Sequence, residues 1–190
     1  IVIPAHNEER HISACLASVQ RAIEHPALAR HPVKLLVVLD DCSDHTAARV
    51  SALGVAALEV SFRNVGKARA VGAEQLLEMG AQWLAFTDAD TLVPADWLVR
   101  QLEFGADAVC GTVEVDSWSE YGESVRSRYL ALYQFTENHR HIHGANLALS
   151  ADAYLSAGRF QHLVANADVR LVADLERIGA RLVWTATNPV

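Results

Sequence analysis

Trp83-Leu84-Ala85-Phe86-Thr87-Asp88-Ala89-Asp90 is an apolar run that ends abruptly in two carboxylates separated by one small residue. It reads as a buried strand emerging into a polar cleft. Residues two apart on an extended chain point the same way, so Asp88 and Asp90 present their carboxylates together at the strand's carboxyl end. Two adjacent anions repel. Either one of them keeps its proton, or a divalent cation sits between the pair and a phosphate-bearing ligand. An acidic surface turn or a helix cap would use the same two residues, so the decision rests on the rest of the chain.

Upstream, two more stretches have this shape. Ile1 to Pro4 reads as the tail of a buried strand, and Ala5-His6-Asn7-Glu8-Glu9 turns out of it into a helix whose Ile12, Leu16, Val19 and Ile23 share one face, with Asn7 as its expected cap. Val33 to Leu39 is a continuous apolar strand that ends in Asp40-Asp41-Cys42-Ser43-Asp44. Ser43 or Asp44 can cap the next helix, Gly54 ends it, and Val55 to Val60 returns as a strand. Arg63 to Arg69 opens a helix that runs through Leu77 and stops at Gly80, immediately before the central strand.

Downstream, Pro94 marks the start of a helix over 95–104, and 108–115 reads as a strand. Ser117 to Glu137 carries Tyr121, Val125, Tyr129, Leu132 and Phe135 at helical spacing, which predicts core aromatics, Trp118 among them. His139-Arg140-His141-Ile142-His143 alternates like a strand, with its three imidazoles on one side. Gly144-Ala145-Asn146-Leu147 then passes into a short helix ending near Gly158. An amphipathic helix over 168–178 and a strand over 181–184 complete the pattern. Strands alternating with helices predict a mostly parallel sheet with helices on both faces. In such sheets ligands bind outside the carboxyl ends of the strands, where the clusters after Pro4, Leu39 and Phe86 all fall.

A chain of 190 residues suits one domain with a substantial core. A net charge of −7 and a pI near 5.7, with no basic cluster, exclude a nucleic-acid surface. Three scattered cysteines, Cys15, Cys42 and Cys110, read as thiols in a reducing compartment. No apolar run approaches the roughly 18 residues of a spanning helix and no signal peptide is present, so a soluble cytoplasmic location is expected. The chain opens inside a strand-like run without Met and ends without a stop signal, as a piece of a longer protein would.

The clusters offer what a nucleoside diphosphate needs. Asp40 or Asp41 can accept from a base imide or a ribose, Glu8 can take a ribose hydroxyl, and Gly66, Lys67 and Arg69 can approach phosphates. Asp88 and Asp90 are hard oxygen donors suited to magnesium or manganese. His6 can contact a donor or fill its turn. Neither Gly-x-Gly-x-x-Gly nor Gly-x-x-x-x-Gly-Lys-Ser/Thr occurs, which argues against dinucleotide oxidoreductases and P-loop enzymes.

Ile3-Pro4-Ala5-His6-Asn7-Glu8-Glu9, Asp40 to Thr46, Asn64-Val65-Gly66-Lys67-Ala68-Arg69-Ala70 and Thr87-Asp88-Ala89-Asp90 resemble, in order and spacing, the family two nucleotide-sugar glycosyltransferases. The resemblance implies a GT-A fold, a Rossmann-like, mostly parallel sheet flanked by helices with a small acceptor-side subregion. It implies one catalytic domain over 1–190, with 1–115 as the nucleotide-sugar half and 116–190 as the acceptor half. Pro4, Ala5, His6, Asn7 and Glu8 with Asp40 and Asp41 would hold the nucleotide of a UDP- or GDP-linked sugar. Asp88-Ala89-Asp90 would be the metal-binding motif, and Gly144, Ala145 and Asn146 would lie on the acceptor side. His143 would complete the shell of a manganese or magnesium ion. A late Asp, here Asp168, would be the base that deprotonates a hydroxyl acceptor of unstated identity in an inverting transfer. Ala167 stands where such families place Glu. Two alternatives remain open: a nucleotide-sugar-binding domain without turnover, and a nucleotidyltransferase, although Ala5-His6-Asn7-Glu8 replaces the Gly-rich basic loop of the latter. Oligomeric state is not encoded in these motifs.

Overall fold

A computed structural model describes residues 1–119 and 121–190. The chain runs β1 (Val2–Ala5), α1 (Ile12–Ile23), β2 (Leu36–Asp40), α2 (Thr46–Ala52), β3 (Ala56–Val60), α3 (Val65–Glu78) and β4 (Trp83–Phe86). It continues with α4 (Trp97–Glu103), β5 (Ala108–Gly111), α5 (Glu123–Leu132), β6 (Leu147–Ser150), α6 (Ala151–Ser156), α7 (Ala167–Arg177) and β7 (Leu182–Thr185). All seven strands form one sheet in the order β3-β2-β1-β4-β6-β5-β7. β1 pairs in parallel with β2 and β4, and β2 with β3, which places the ends of β1, β2 and β4 along one edge of the layer.

The neighbouring strands β2, β1, β4 and β6 divide their side chains between two cores. Val2, Leu36, Val38, Leu84, Phe86, Leu147 and Leu149 face one side, where α3, α6 and α7 cover them with Leu76, Tyr154 and Leu171. Ile3, Val37, Leu39, Ala85 and Ala148 face the other, beneath α1 and α4 with Leu16, Val19 and Trp97. Burial on both faces is why these strands read as unbroken apolar runs rather than alternating ones. Each fully buried Val, Leu or Ile contributes about 2 kcal/mol of burial free energy, so the sheet centre is the rigid platform.

One strand differs from the expected pattern. β6 lies between β4 and β5 and runs antiparallel to both, whereas 147–150 was expected only to pass into a helix. Four residues without a turn signal do not announce a strand, and strand direction is set by the path of the preceding chain. Smaller differences concern caps. Asn7 does not cap α1; the residue at its N-cap is His11, which makes no side-chain cap, and Asn7 lies in the left-handed region at φ 57°. α2 begins after His45, with Asp44 accepting from the Thr46 amide at 2.9 Å. Asn64 caps α3 by accepting from the Lys67 amide at 2.9 Å.

α5 is the larger correction. It forms within the expected 117–137 stretch, of which Glu120 lies outside the described residues, yet none of its residues is buried. Helical spacing shows that side chains share a face; it does not show that anything covers that face. His139, His141 and His143 belong to no strand, but their rings do lie on one side, with centroids 5.6 and 6.1 Å apart along the series. Among the described residues the three cysteines are free thiols, and no helix is long and apolar enough to cross a membrane.

Candidate functional site

The carboxyl ends of β1, β2 and β4 and the start of α3 enclose a cavity of about 570 Å³. β1 and its loop contribute Pro4, Ala5, His6 and Glu8, β2 contributes Asp40, and the stretch after β4 contributes Asp88, Ala89 and Asp90. α3 presents Arg69, and its entry presents Arg63 and Asn64, to which no role was given from sequence although Asn64 opens the Asn64–Ala70 motif and Arg63 precedes it.

Several of these residues first serve to shape the cavity. The Asp40 carboxylate is buried and accepts from three consecutive backbone amides: Phe62 at 2.6 Å, Arg63 at 2.8 Å and Asn64 at 2.7 Å. It pins the loop between β3 and α3, which leaves little of its acceptor capacity for a ligand. Asp41, in the left-handed region, pairs with the Arg63 guanidinium at the rim. His6 Nδ1 lies 2.6 Å from the Asp40 carbonyl, so that nitrogen carries the proton and Nε2 accepts from Asn7 at 3.4 Å. Asn7 Oδ1 in turn accepts from the Ser43 amide at 2.8 Å and the Asp44 amide at 3.3 Å, which ties the β1 loop to the β2 loop. Glu8 is oriented by its own amide on Thr46 Oγ1 at 2.8 Å and by His11 at 2.9 Å from its carboxylate.

Across the cavity, Arg69 is 5% exposed and donates to Asp88 Oδ1 at 2.5 Å. Its Nε has no partner among the described residues. The guanidinium lies directly over Gly144, where any Cβ would collide with it. The Gly144 amide donates to Asp168 Oδ2 at 2.9 Å, while Asp168 Oδ1 accepts from Val169 at 2.9 Å, in the first turn of α7. Asp88, Arg69, Gly144 and Asp168 thus form one connected line, two carboxylates joined through a cation and a glycine. Cys15 donates its thiol to the Asp88 carbonyl at 3.3 Å, and burial pushes that thiol up to about 12, so it stays protonated.

Other expected site residues lie elsewhere. Lys67 lines a separate cavity on the outer side of α3, its ammonium 6.0 Å from the Phe62 ring centroid. Gly66 is buried where a Cβ would meet that of Ala167. Gly144, Ala145 and Asn146 form a buried 3-10 turn rather than an open surface. Asn146 is 1% exposed, accepts from the Trp97 indole at 3.0 Å and donates to the carbonyls of Thr112 at 2.9 Å and Asn188 at 2.8 Å. It brackets the turn instead of reaching a ligand, and only a glycine at position 111 leaves room for it.

His143 is not gathered with Asp88 and Asp90: among the described residues no group of three or more His, Cys, Asp or Glu side chains is spaced to hold a metal. The Val113 amide donates to the Tyr133 hydroxyl at 3.0 Å, leaving that hydroxyl's proton for His143 Nε2 at 2.8 Å. Burial first, then the neighbouring His141, hold His143 below the ordinary imidazole range against the pull of Asp168 and Asp88. Tyr133, half-buried behind the site, was not singled out from sequence; it stands just past the end of α5, outside the helically spaced set.

The sequence profile of glycosyl transferase family 2 matches residues 1–160. No curated protein matches the chain by sequence. Among solved structures, S. aureus TarS 1-349 in complex with UDP superposes with a TM-score of 0.73 at 18% identity, over 99% of this chain and 57% of that one. The mannosyltransferase PcManGT from Pyrobaculum calidifontis, in complex with GDP-Man and Mn2+, gives 0.69 at 18% identity over 97% and 55%. Glucosyl-3-phosphoglycerate synthase from Mycobacterium tuberculosis, with Mn2+ and UDP-glucose, gives 0.61 at 19% identity over 97% and 67%. The chain spans between 55% and 67% of the length of these structures. The shared fold is GT-A, a mostly parallel sheet with flanking helices.

Proposed function

The chain belongs to glycosyl transferase family 2, and from that premise we propose that it transfers a sugar from a UDP- or GDP-linked donor to a hydroxyl acceptor. The observation that carries this reading is the line from Asp88 through Arg69 and Gly144 to Asp168, which joins a carboxylate lining the cavity to a second one held in place by the Gly144 and Val169 amides. The UDP, GDP-Man and UDP-glucose bound by the similar structures support a nucleotide-sugar donor. Residues 1–115 are the donor half and 116–190 the acceptor half.

Asp88 and Asp90 are all-oxygen donors of which Asp90 is exposed, and they fit an ion that keeps most of its shell for water and phosphate oxygens, as magnesium does and as the Mn2+ of two similar structures supports. Such an ion supplies charge neutralisation for the departing diphosphate. The protein's own groups do the rest. Arg69 holds Asp88 in place, Asp40 fixes the loop that walls the nucleotide, and Asp168 takes the proton of the acceptor hydroxyl while its other contacts fix its orientation. Attack from the face opposite the nucleotide inverts the anomeric carbon.

One observation favours a second reading, donor binding without turnover: Ala167, in the place of the family's Glu, is buried against Gly66, so no second carboxylate accompanies Asp168. Calorimetric titration of UDP and GDP, with and without manganese, tests the site. Manganese-dependent binding of one nucleotide, abolished by Asp90→Ala, is expected; binding that survives Asp90→Ala overturns the metal assignment. Asp168→Asn should bind the same nucleotide with unchanged affinity and lose turnover of the donor. An unchanged turnover rate removes Asp168 from the base role, and nucleotide binding with no turnover in the unmodified protein establishes the second reading.

A further inference from the structure

α5 buries none of its residues, yet one of its faces is apolar. Val125, Tyr129 and Leu132, three and four residues apart, wall a cavity of about 580 Å³ together with Tyr133 and His141. Val125 and Leu132 are 51% and 68% exposed. The rings behind them form a column, Tyr129 on Tyr133 at 4.9 Å and Tyr133 on His141 at 4.1 Å and 7°.

Most polar atoms of this column are already hydrogen-bonded. Tyr129 donates its hydroxyl to the Val113 carbonyl at 3.2 Å, Tyr133 is engaged by Val113 and His143, and His141 Nε2 accepts from the Gln134 amide at 3.0 Å. Among the described residues, the polar side chains on the wall that make no hydrogen bond or ion pair are Ser124 and Arg128, one turn apart on α5. A sugar lying here would find few protein partners for its hydroxyls, so the wall offers it little specificity. A hydrocarbon body carrying one anionic group suits the wall instead: it covers the apolar face while its anion meets Arg128.

The groove adjoins the site directly. Tyr133 forms part of its wall and holds His143, and the next residue, Gly144, is the one whose amide Asp168 holds. We propose that this groove seats the acceptor, and that the acceptor is an anionic amphiphile, a hydroxyl-bearing molecule with a hydrocarbon body. The word acceptor rests on the transferase reading above; the groove's ligand chemistry does not.

Binding of butyl, hexyl and octyl phosphate, each below its micelle concentration, tests the groove, with UDP and GDP titrated in parallel. Affinity should rise about two- to fourfold per methylene. Leu132→Asp, at an exposed position, should flatten the series, and Arg128→Gln should weaken all three phosphates by a similar factor of about tenfold. Nucleotide binding should be unchanged in both variants. A flat series in the unmodified protein, a slope that survives Leu132→Asp, or binding to anionic vesicles with none to the monomeric phosphates overturns the proposal. Alkyl phosphates that bind as expected to a protein that binds neither nucleotide would remove the transferase reading and leave the groove. The reverse pattern would remove the groove alone.

Discussion

Asn146 is engaged at both ends of its amide, so its replacement separates bracket from ligand contact. Asn146→Ala leaves the buried Trp97 indole N–H without an acceptor, and a loss of about 2–3 kcal/mol in urea denaturation is expected. A side chain that touched the acceptor would instead leave stability unchanged and raise the acceptor's KM. Asp40 makes a stronger case, since it alone satisfies three amides of one loop. Asp40→Ala should cost about 3 kcal/mol or more, with nucleotide affinity lost in the same variant because the Arg63–Asn64 wall is released. Asp40 and Asp88 stood out in the sequence because several polar clusters fall together at strand carboxyl ends, where ligands bind in such sheets. What they hold was not legible, because the amides of 62–64 and the guanidinium of Arg69 arrive from other parts of the chain. Lys67 was read from the same motif as Arg69, and the turn of α3 places it at a separate cavity on the outer face.

At the scale of elements, α7 carries a pH-dependent tie. Asp174 is buried within the fold's surface layer and accepts from Arg170 at 2.8 Å, Arg177 at 3.3 Å and Gln161 at 3.3 Å, and the Arg170 hydrogen bond foremost holds its carboxyl below the ordinary range. A carboxyl whose folded value is depressed adds stability above its unfolded value of about 3.9, and that contribution is lost as pH falls through the folded value. Asp174→Asn should therefore lower the melting temperature at neutral pH and fall less steeply than the unmodified protein below about pH 4, measured by thermal unfolding across that range. Strands β1, β2 and β4 and the helices between them were legible because burial on both faces writes itself as apolar runs, and α1 and α7 because one-sided burial writes a helical period. β6 and α5 were not. Pairing direction is decided by where the 112–146 excursion returns, and whether a helix face is covered depends on neighbours that periodicity does not contain.

Taken whole, the molecule is a rigid two-faced sheet with a loosely held outwork. Amide exchange should be slowest in β1, β4 and β6, whose residues are almost all buried, and among the fastest in α5; octyl phosphate should slow α5 without altering β1, and equal protection of α5 and the strands in the free protein would contradict this division. One glycine joins the two regimes. Gly144 lies under the guanidinium that grips Asp88, and its amide is in the grip of Asp168. Its two neighbours therefore cannot be adjusted one at a time. A nucleotide that shifts Arg69 alters the perch of Asp168, and by reciprocity an acceptor that draws on Asp168 alters nucleotide affinity by the same factor. The coupling between the two substrates then depends on this single residue's lack of a side chain, and Gly144→Ala, whose Cβ must displace Arg69, should weaken nucleotide binding and change the cooperativity together.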